Sequence, residues 1–386
     1  MTNKKTDIGI YIHIPFCIRK CAYCDFLSGP AGEQERTEYL TALLQEIAAS
    51  GRKEGGPYRA KTVFFGGGTP SVLPGEQIGK ILESLRQAFH VAEDAEITME
   101  ANPGTLTAEK LSRYRAAGVN RLSLGLQSMK NDELRLLGRI HTREDFFESF
   151  YLAREAGFDN INVDLISALP GQTCGSWEET LEETAALKPE HISAYSLIVE
   201  EGTPFYKMYG PGSSGELLLP GEEEDRKMYR RTAQLLGEAG YRRYEISNYA
   251  LPGKECLHNL CYWTGIPYLG FGLGASSCFE GRRFSNTADW EAYLKNSENP
   301  ALVRTVTEEL TEKSLMEEFC FLGLRLSEGI DRKEFEERFK RPFGEVYGGV
   351  ERRFVQMGLL EVRGRRLRLT EQGIDLSNQV MCEFLL

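Results

Sequence analysis

A chain of 386 residues with 41% hydrophobic content is long enough for one large α/β unit and a small appended domain. Its 57 acidic against 46 basic side chains leave a formal net charge of −11, which disfavours collection on nucleic acid or on anionic membrane surfaces. No apolar run approaches the roughly 18 residues of a membrane span, and residues 1–7 lack the apolar core of a signal peptide, so a cytoplasmic protein that is not an integral membrane protein is expected. Nine cysteines, an odd count, fit a reducing compartment.

From the N-terminus, β-branched and apolar runs alternate with stretches of helical period, the pattern of βα units and a parallel sheet. Strands are expected over residues 8–14, 62–65, 96–100, 121–126, 160–165 and 191–199. Helices are expected near 35–50, 75–89, 107–117, 145–156 and 176–187. The resulting α/β fold is an incomplete, TIM-like (β/α)6 barrel. Gly-Pro-Gly-Ser-Ser-Gly at 210–215 breaks the pattern and reads as a solvated connector, or a lid, ahead of a helix over 222–239. A glycine- and aromatic-rich stretch over 258–279 leads to a hairpin around 280–283. Helices over 308–325, 331–339 and 346–357 then precede strands over 359–362 and 366–369, a small winged-helix-like α+β domain. The chain thus divides into 1–205, 206–304 and 305–386. Arg363, Arg365, Arg366 and Arg368 charge the wing, but the acidic helices before it argue against DNA reading.

Cys17, Cys21 and Cys24 fall at the spacing Cys-x3-Cys-x2-Cys directly after the first strand. Thiolates are soft ligands that suit iron–sulfur clusters, and three on one short loop can hold three irons of a [4Fe–4S] cube while leaving the fourth open. Zinc is the competing reading, but it wants a fourth ligand and the loop offers only Asp25. An open iron can be chelated by the amine and carboxylate of S-adenosylmethionine (SAM), and the loop resembles the radical-SAM signature. The six remaining cysteines, Cys174, Cys256, Cys261, Cys278, Cys320 and Cys382, read mostly as core residues.

Gly66-Gly67-Gly68-Thr69-Pro70 follows the second strand, where glycines let the backbone approach a ligand with its N–H groups available. Glu100, Gln127, Arg139 and Asp164 offer carboxylate, amide and guanidinium groups suited to ribose hydroxyls, amine and carboxylate. Arg139 reads equally as a helix-surface charge. Most of these positions lie at or just past expected strand C-termini, the end that carries chemistry in barrels of this kind.

Tyr11-Ile-His-Ile-Pro-Phe-Cys17, Cys21-Ala-Tyr-Cys24, Phe65-Gly-Gly-Gly-Thr-Pro70, Glu100-Ala-Asn-Pro103, Leu124-Gly-Leu-Gln-Ser128 and Asp164-Leu-Ile-Ser-Ala-Leu-Pro-Gly171 together resemble the HemN/HemW family of radical SAM proteins. The family holds oxygen-independent coproporphyrinogen III dehydrogenases and heme chaperones. The resemblance implies one [4Fe–4S] cluster on Cys17, Cys21 and Cys24. It implies SAM contacts at Tyr11, Gly67, Gly68, Thr69, Glu100, Gln127, Arg139 and Asp164, with Tyr23 facing the space where the dehydrogenase branch holds a second SAM.

Two departures separate this chain from the dehydrogenases, which carry a fourth cysteine where Phe26 stands and a long N-terminal extension where seven residues precede the first expected strand. His258-Asn259-Leu260-Cys261-Tyr262-Trp263 instead resembles the His-Asn-x-x-Tyr-Trp motif of the chaperone branch. The resemblance therefore implies a chaperone that binds heme and delivers it to an apo-hemoprotein, without coproporphyrinogen III dehydrogenase activity. Radical SAM oxidoreductase chemistry is the alternative. An RNA-modifying enzyme would want a basic face that is not evident. On the residues themselves, His258 reads either as a structural histidine capped by Asn259 or as an axial heme ligand outside the SAM site, with Cys256 and Cys261 as possible thiolate donors. His13 and His141 read as structural.

Overall fold

The computed structural model describes residues 5–386. Six parallel strands form its centre: β1 (Thr6–Ile14), β2 (Tyr58–Gly67), β3 (His90–Ala101), β4 (Arg121–Gln127), β5 (Ile161–Ser167) and β6 (His191–Ser196). Ile8, Ile10, Ile12 and Ile14 alternate along β1 and are fully buried, so the β-branched period of two fixes which face of that strand meets the helices. The helices Glu33–Glu54, Gly75–Ala88, Ala108–Ala117, Arg143–Glu155 and Cys174–Ala186 cover the outside. Three of them start at threonine caps, Thr107, Thr142 and Thr173, whose hydroxyls accept from the N–H of Lys110, Asp145 and Ser176.

The strand order is β1 to β6 in sequence, as expected, but the sheet does not stop there. Going on along the chain, β7 (Arg242–Arg243), β8 (Asn248–Ala250), β9 (Tyr268–Phe271), β10 (Ser276–Phe279), β11 (Arg282–Asn286) and β12 (Arg304–Glu309) extend both edges into one 12-stranded sheet, β12-β11-β10-β9-β1-β2-β3-β4-β5-β6-β8-β7. β9 joins β1 in parallel and β8 joins β6 antiparallel, so the open barrel's two edges are each paired rather than exposed. The helix Leu257–Trp263, which follows β8 and precedes β9 in the chain, packs against β1 and β2.

Residues 308 and 309 belong to β12, and the helix expected from 308 begins at Glu312, after a cap in which Thr311 accepts from the Ser314 N–H. Beyond it lie the helices Arg332–Phe339 and Gly348–Gln356 and a three-stranded sheet. Its strands are β13 (Ile330–Asp331), β14 (Leu360–Arg363) and β15 (Arg366–Leu369), in the order β13-β15-β14. This winged-helix-like unit has its own core around Phe335, Phe343, Tyr347 and Phe384. A short helix, Asn131–Leu136, between β4 and β5 was not expected.

Candidate functional site

The loop after β1 carries the three cysteines and is tied down on several sides. Cys17 N–H bonds Gly29 O at 2.9 Å, Ala22 N–H bonds Leu137 O at 3.0 Å, and Phe205 N–H bonds Ala22 O at 2.9 Å. Arg19 donates to Gly138 O at 2.6 Å. The thiols are half-buried and unbridged.

A chain of hydrogen bonds links two of them through the C-terminal ends of β2, β3 and β4. Thr69 Oγ1 donates to Cys17 Sγ at 3.5 Å and accepts from Asn102 Nδ2 at 2.8 Å. Arg139 donates to Asn102 Oδ1 at 2.6 Å, to Gly125 O at 2.6 Å and to Cys21 Sγ at 3.5 Å. Arg139 is therefore not a helix-surface charge, since its guanidinium lies inside the rim and touches a candidate ligand sulfur. Asn102 is the residue that sequence reasoning missed. Its signal was its place in the Glu100-Ala-Asn-Pro103 motif, and its role becomes visible once the β2, β3 and β4 ends converge.

The glycine run plays a different part from the one expected. Gly67 N–H donates to Glu100 Oε2 at 3.2 Å. Gly68 N–H donates to Ile14 O at 2.8 Å and Thr69 N–H to Phe16 O at 2.7 Å, so these donors hold the cysteine loop rather than standing free for a ligand. The need for glycine is steric: a Cβ on Gly68 would lie 2.6 Å from Phe16 O, and one on Gly67, at φ +105°, would lie 2.3 Å from the His13 ring. His13 holds the same loop, accepting from Tyr11 O–H at its Nδ1 and donating from Nε2 to Leu27 O at 2.9 Å.

Below the rim, Tyr11, Glu100 and Asp164 line a lumen cavity of about 210 Å³. Burial, and then the neighbouring Asp164 carboxyl, raise the Glu100 pKa to about 8, while the Gly67 N–H pulls the other way. Burial also raises Asp164, opposed by its hydrogen bonds from Ser123 at 2.8 Å and Asn162 at 2.8 Å. The buried Arg121 beside them has an Nε with no hydrogen-bond partner among the described residues. Gln127 sits at the end of β4 with φ +72°, where the β4–β5 register shifts, a strained backbone of the kind that collects at functional rims. Tyr23 packs edge-on against Phe205, and burial raises its pKa against the lowering effect of Arg139.

His258 lies elsewhere in the barrel from the cysteines but not outside the lumen. It lines the same cavity as Tyr11, Glu100 and Asp164 from the opposite end, beside Asn259 and Tyr262. Its Nδ1 hydrogen-bonds Thr62 Oγ1 at 2.8 Å and its Nε2 bonds Tyr262 O–H at 2.9 Å, and its ring stacks on Phe64. Thr62 and Tyr262, rather than Asn259, are thus its partners. Burial and then the Arg121 charge depress its pKa to about 3, which keeps the imidazole neutral. Glu96 on β3 accepts from the N–H groups of Leu257 and His258, both at 3.0 Å, and so caps the helix Leu257–Trp263 against the N-terminal half of the sheet. Cys256 and Cys261 are buried behind it, their thiols pushed up by burial to about 12 and about 11. His141 is buried with its Nε2 on Leu126 O, as a structural histidine.

The described residues hold no group of three or more His, Cys, Asp or Glu set to bind a metal ion. What surrounds the cysteines nevertheless fits a larger group with soft-ligand corners: three half-buried thiols, two of them accepting hydrogen bonds, facing a glycine-walled rim.

Residues 11–184 match the radical SAM superfamily, and residues 310–376 match the HemN C-terminal domain. The chain is 40% identical over 376 residues to the heme chaperone HemW of Bacillus subtilis, covering 97% of this chain and 98% of that protein. The chain belongs to the HemW family. A second HemW, from Lactococcus lactis, is 37% identical over 376 residues, covering 97% of each chain. The solved structure of coproporphyrinogen III oxidase (HemN) from Escherichia coli superposes with a TM-score of 0.86 at 25% identity, covering 99% of this chain and 91% of that one. The chain thus carries a radical SAM barrel, as the motifs implied, with a HemN-type C-terminal domain. No described helix is long and apolar enough to cross a membrane.

Proposed function

We propose that this protein is a heme chaperone built on a radical SAM scaffold, binding heme, one [4Fe–4S] cluster and SAM, and handing heme to an apo-hemoprotein in the cytoplasm. The observation that carries the reading is the full-length correspondence with relatives named as heme chaperones. Phe26 supports it, because an exposed phenylalanine stands where the dehydrogenases place a further cysteine.

Cys17, Cys21 and Cys24 would hold the cluster, with Arg139 and Thr69 donating to two of the sulfurs and so stabilising their anionic form. The rim formed by Gly67, Gly68, Thr69 and Gln127, and the lumen groups Tyr11, Glu100 and Asp164, would hold SAM, with Tyr23 closing the side nearest Phe205. When bound, the two groups supply one-electron reduction of the SAM sulfonium. Glu100, with its pKa near 8, can hold or release a proton near neutrality, and Asn102 keeps Arg139 aimed at Cys21. Both ring nitrogens of His258, the heme-ligand candidate of the sequence, are engaged by Thr62 and Tyr262, so in this arrangement it offers no free nitrogen to iron.

Anaerobic incubation of the reconstituted protein with hemin and, separately, with coproporphyrinogen III, SAM and a reductant tests the reading. Retention of hemin without formation of protoporphyrinogen IX is expected. SAM- and electron-dependent decarboxylation would move the protein to oxidoreductase chemistry.

A further inference from the structure

A second cavity, of about 590 Å³, opens between the barrel and the C-terminal domain. That volume lies within the roughly 300–1,000 Å³ usual for cofactor-sized ligands. The helix Leu257–Trp263 is the wall between the two cavities, since Tyr262 lines both while Trp263 faces only the larger one. Tyr268 and Cys278, from β9 and β10, form the barrel side, and Phe319 and Leu322, from the helix Glu312–Gly323, form the other.

Two features of this cleft call for a ligand. Trp263 Nε1 is buried without a hydrogen-bond partner among the described residues, while its ring is covered by the Arg325 guanidinium at 4.5 Å. Arg338, exposed at the mouth, stacks over Phe339 and faces no carboxylate partner among the described residues. Of the five acidic lining groups, Glu318 is paired with Arg283, Asp331 with Arg365 and Glu328 with Arg366, while Glu255 and Glu334 have no salt-bridge partner among the described residues.

Resting on the heme reading above, we propose that this interdomain cleft is the heme seat. The macrocycle lies against Trp263, Tyr268 and Phe319, its carboxylate arms point towards Arg338, and the Cys278 sulfur is the axial donor. Cys278 is the one sulfur among the described lining residues, which include no histidine. On binding, the Cys278 thiol releases its proton to solvent and its sulfur donates an electron pair to ferric iron, with no change in oxidation state. His258 then acts from behind the wall, holding Tyr262 in place.

The test is an anaerobic titration of ferric hemin into the full-length protein, read by absorbance, for wild type, Cys278→Ala, Leu322→Trp and Arg338→Glu. The expected results are one saturable site in wild type and an altered Soret band in Cys278→Ala. Leu322→Trp, which fills the cleft, should raise the dissociation constant by at least about tenfold. Arg338→Glu, a change at an exposed position that folding tolerates, should raise it by about threefold or more. Wild-type protein without a saturable site overturns the heme reading itself. Hemin binding that is the same in all four proteins keeps that reading and overturns the cleft as the seat. Weakening by Leu322→Trp and Arg338→Glu with an unchanged Cys278→Ala spectrum keeps the cleft and overturns Cys278 as the ligand.

Discussion

Cys21 combines a candidate ligand sulfur with a charge-assisted hydrogen bond from Arg139, and Cys17 receives a hydrogen bond from the neutral Thr69 hydroxyl. Replacing Cys21 with serine is expected to abolish the iron and sulfide content of anaerobically reconstituted protein. A retained four-iron cluster, or stoichiometric zinc in wild type, would show the thiols doing something else. Glu100 gives a pH signature. Its pKa rises from 4.5 to about 8 in the folded protein, so between these values the folded state holds more protons than the unfolded one. Stability from this group is present at the acid end and falls as pH rises towards 8. Glu100→Gln without added SAM should remove that fall, and urea midpoints measured between about pH 5 and 8 that ran parallel for both proteins would refute the assignment.

At the scale of elements, the cysteine loop is held by the second strand's glycines, and the cost of disturbing them can be read directly. Gly68→Ala places a Cβ against the backbone of Phe16 and Ile14 and is expected to cost about 1–3 kcal/mol together with loss of reconstituted cluster. Gly29→Ala, in the same loop with open space around it, should stay within about 0.5 kcal/mol. Equal effects from the two would mean that the loop is not pinned at Gly68. Thr62→Val leaves the His258 Nδ1 without its partner in a buried setting and is expected to cost about 1–3 kcal/mol by denaturant unfolding. The six parallel strands were legible because five combine β-branched residues with a buried face, β4 repeats leucine at 122, 124 and 126, and their C-terminal polar residues marked the rim. The beginnings of β2 and β3 were not, since polar residues such as Arg59, Glu93 and Asp94 mask the strand period there. β7 and β8, at two and three residues, carry no local pattern at all. They are strands because β6 offers an unpaired edge, which is a fact about distant sequence. The same limit hid the role of Asn102, and it hid the placement of His258 inside the lumen, since both depend on which strand ends meet.

Across the whole molecule, neutral buried histidines tie folding to pH in the opposite sense from Glu100. His141 and His258 are depressed from 6.5 to about 3, and His191 lies well below its ordinary value, each chiefly by burial. The unfolded chain binds more protons at these sites below 6.5, so their stabilisation is full above that pH and is lost as pH falls towards 3. Acid unfolding with its midpoint in that window is expected, and His141→Gln should shift it to lower pH. On the proposed function, the two cavities on either side of the helix Leu257–Trp263 would give the molecule separate places for a radical SAM centre and for a heme cargo, as a carrier needs. The most direct test of that account is the rate at which hemin leaves the loaded, anaerobically reconstituted protein when an apo-hemoprotein acceptor is added. The account predicts a rate that rises with acceptor concentration and exceeds spontaneous loss to a heme scavenger. A rate independent of the acceptor and equal to spontaneous loss would contradict it.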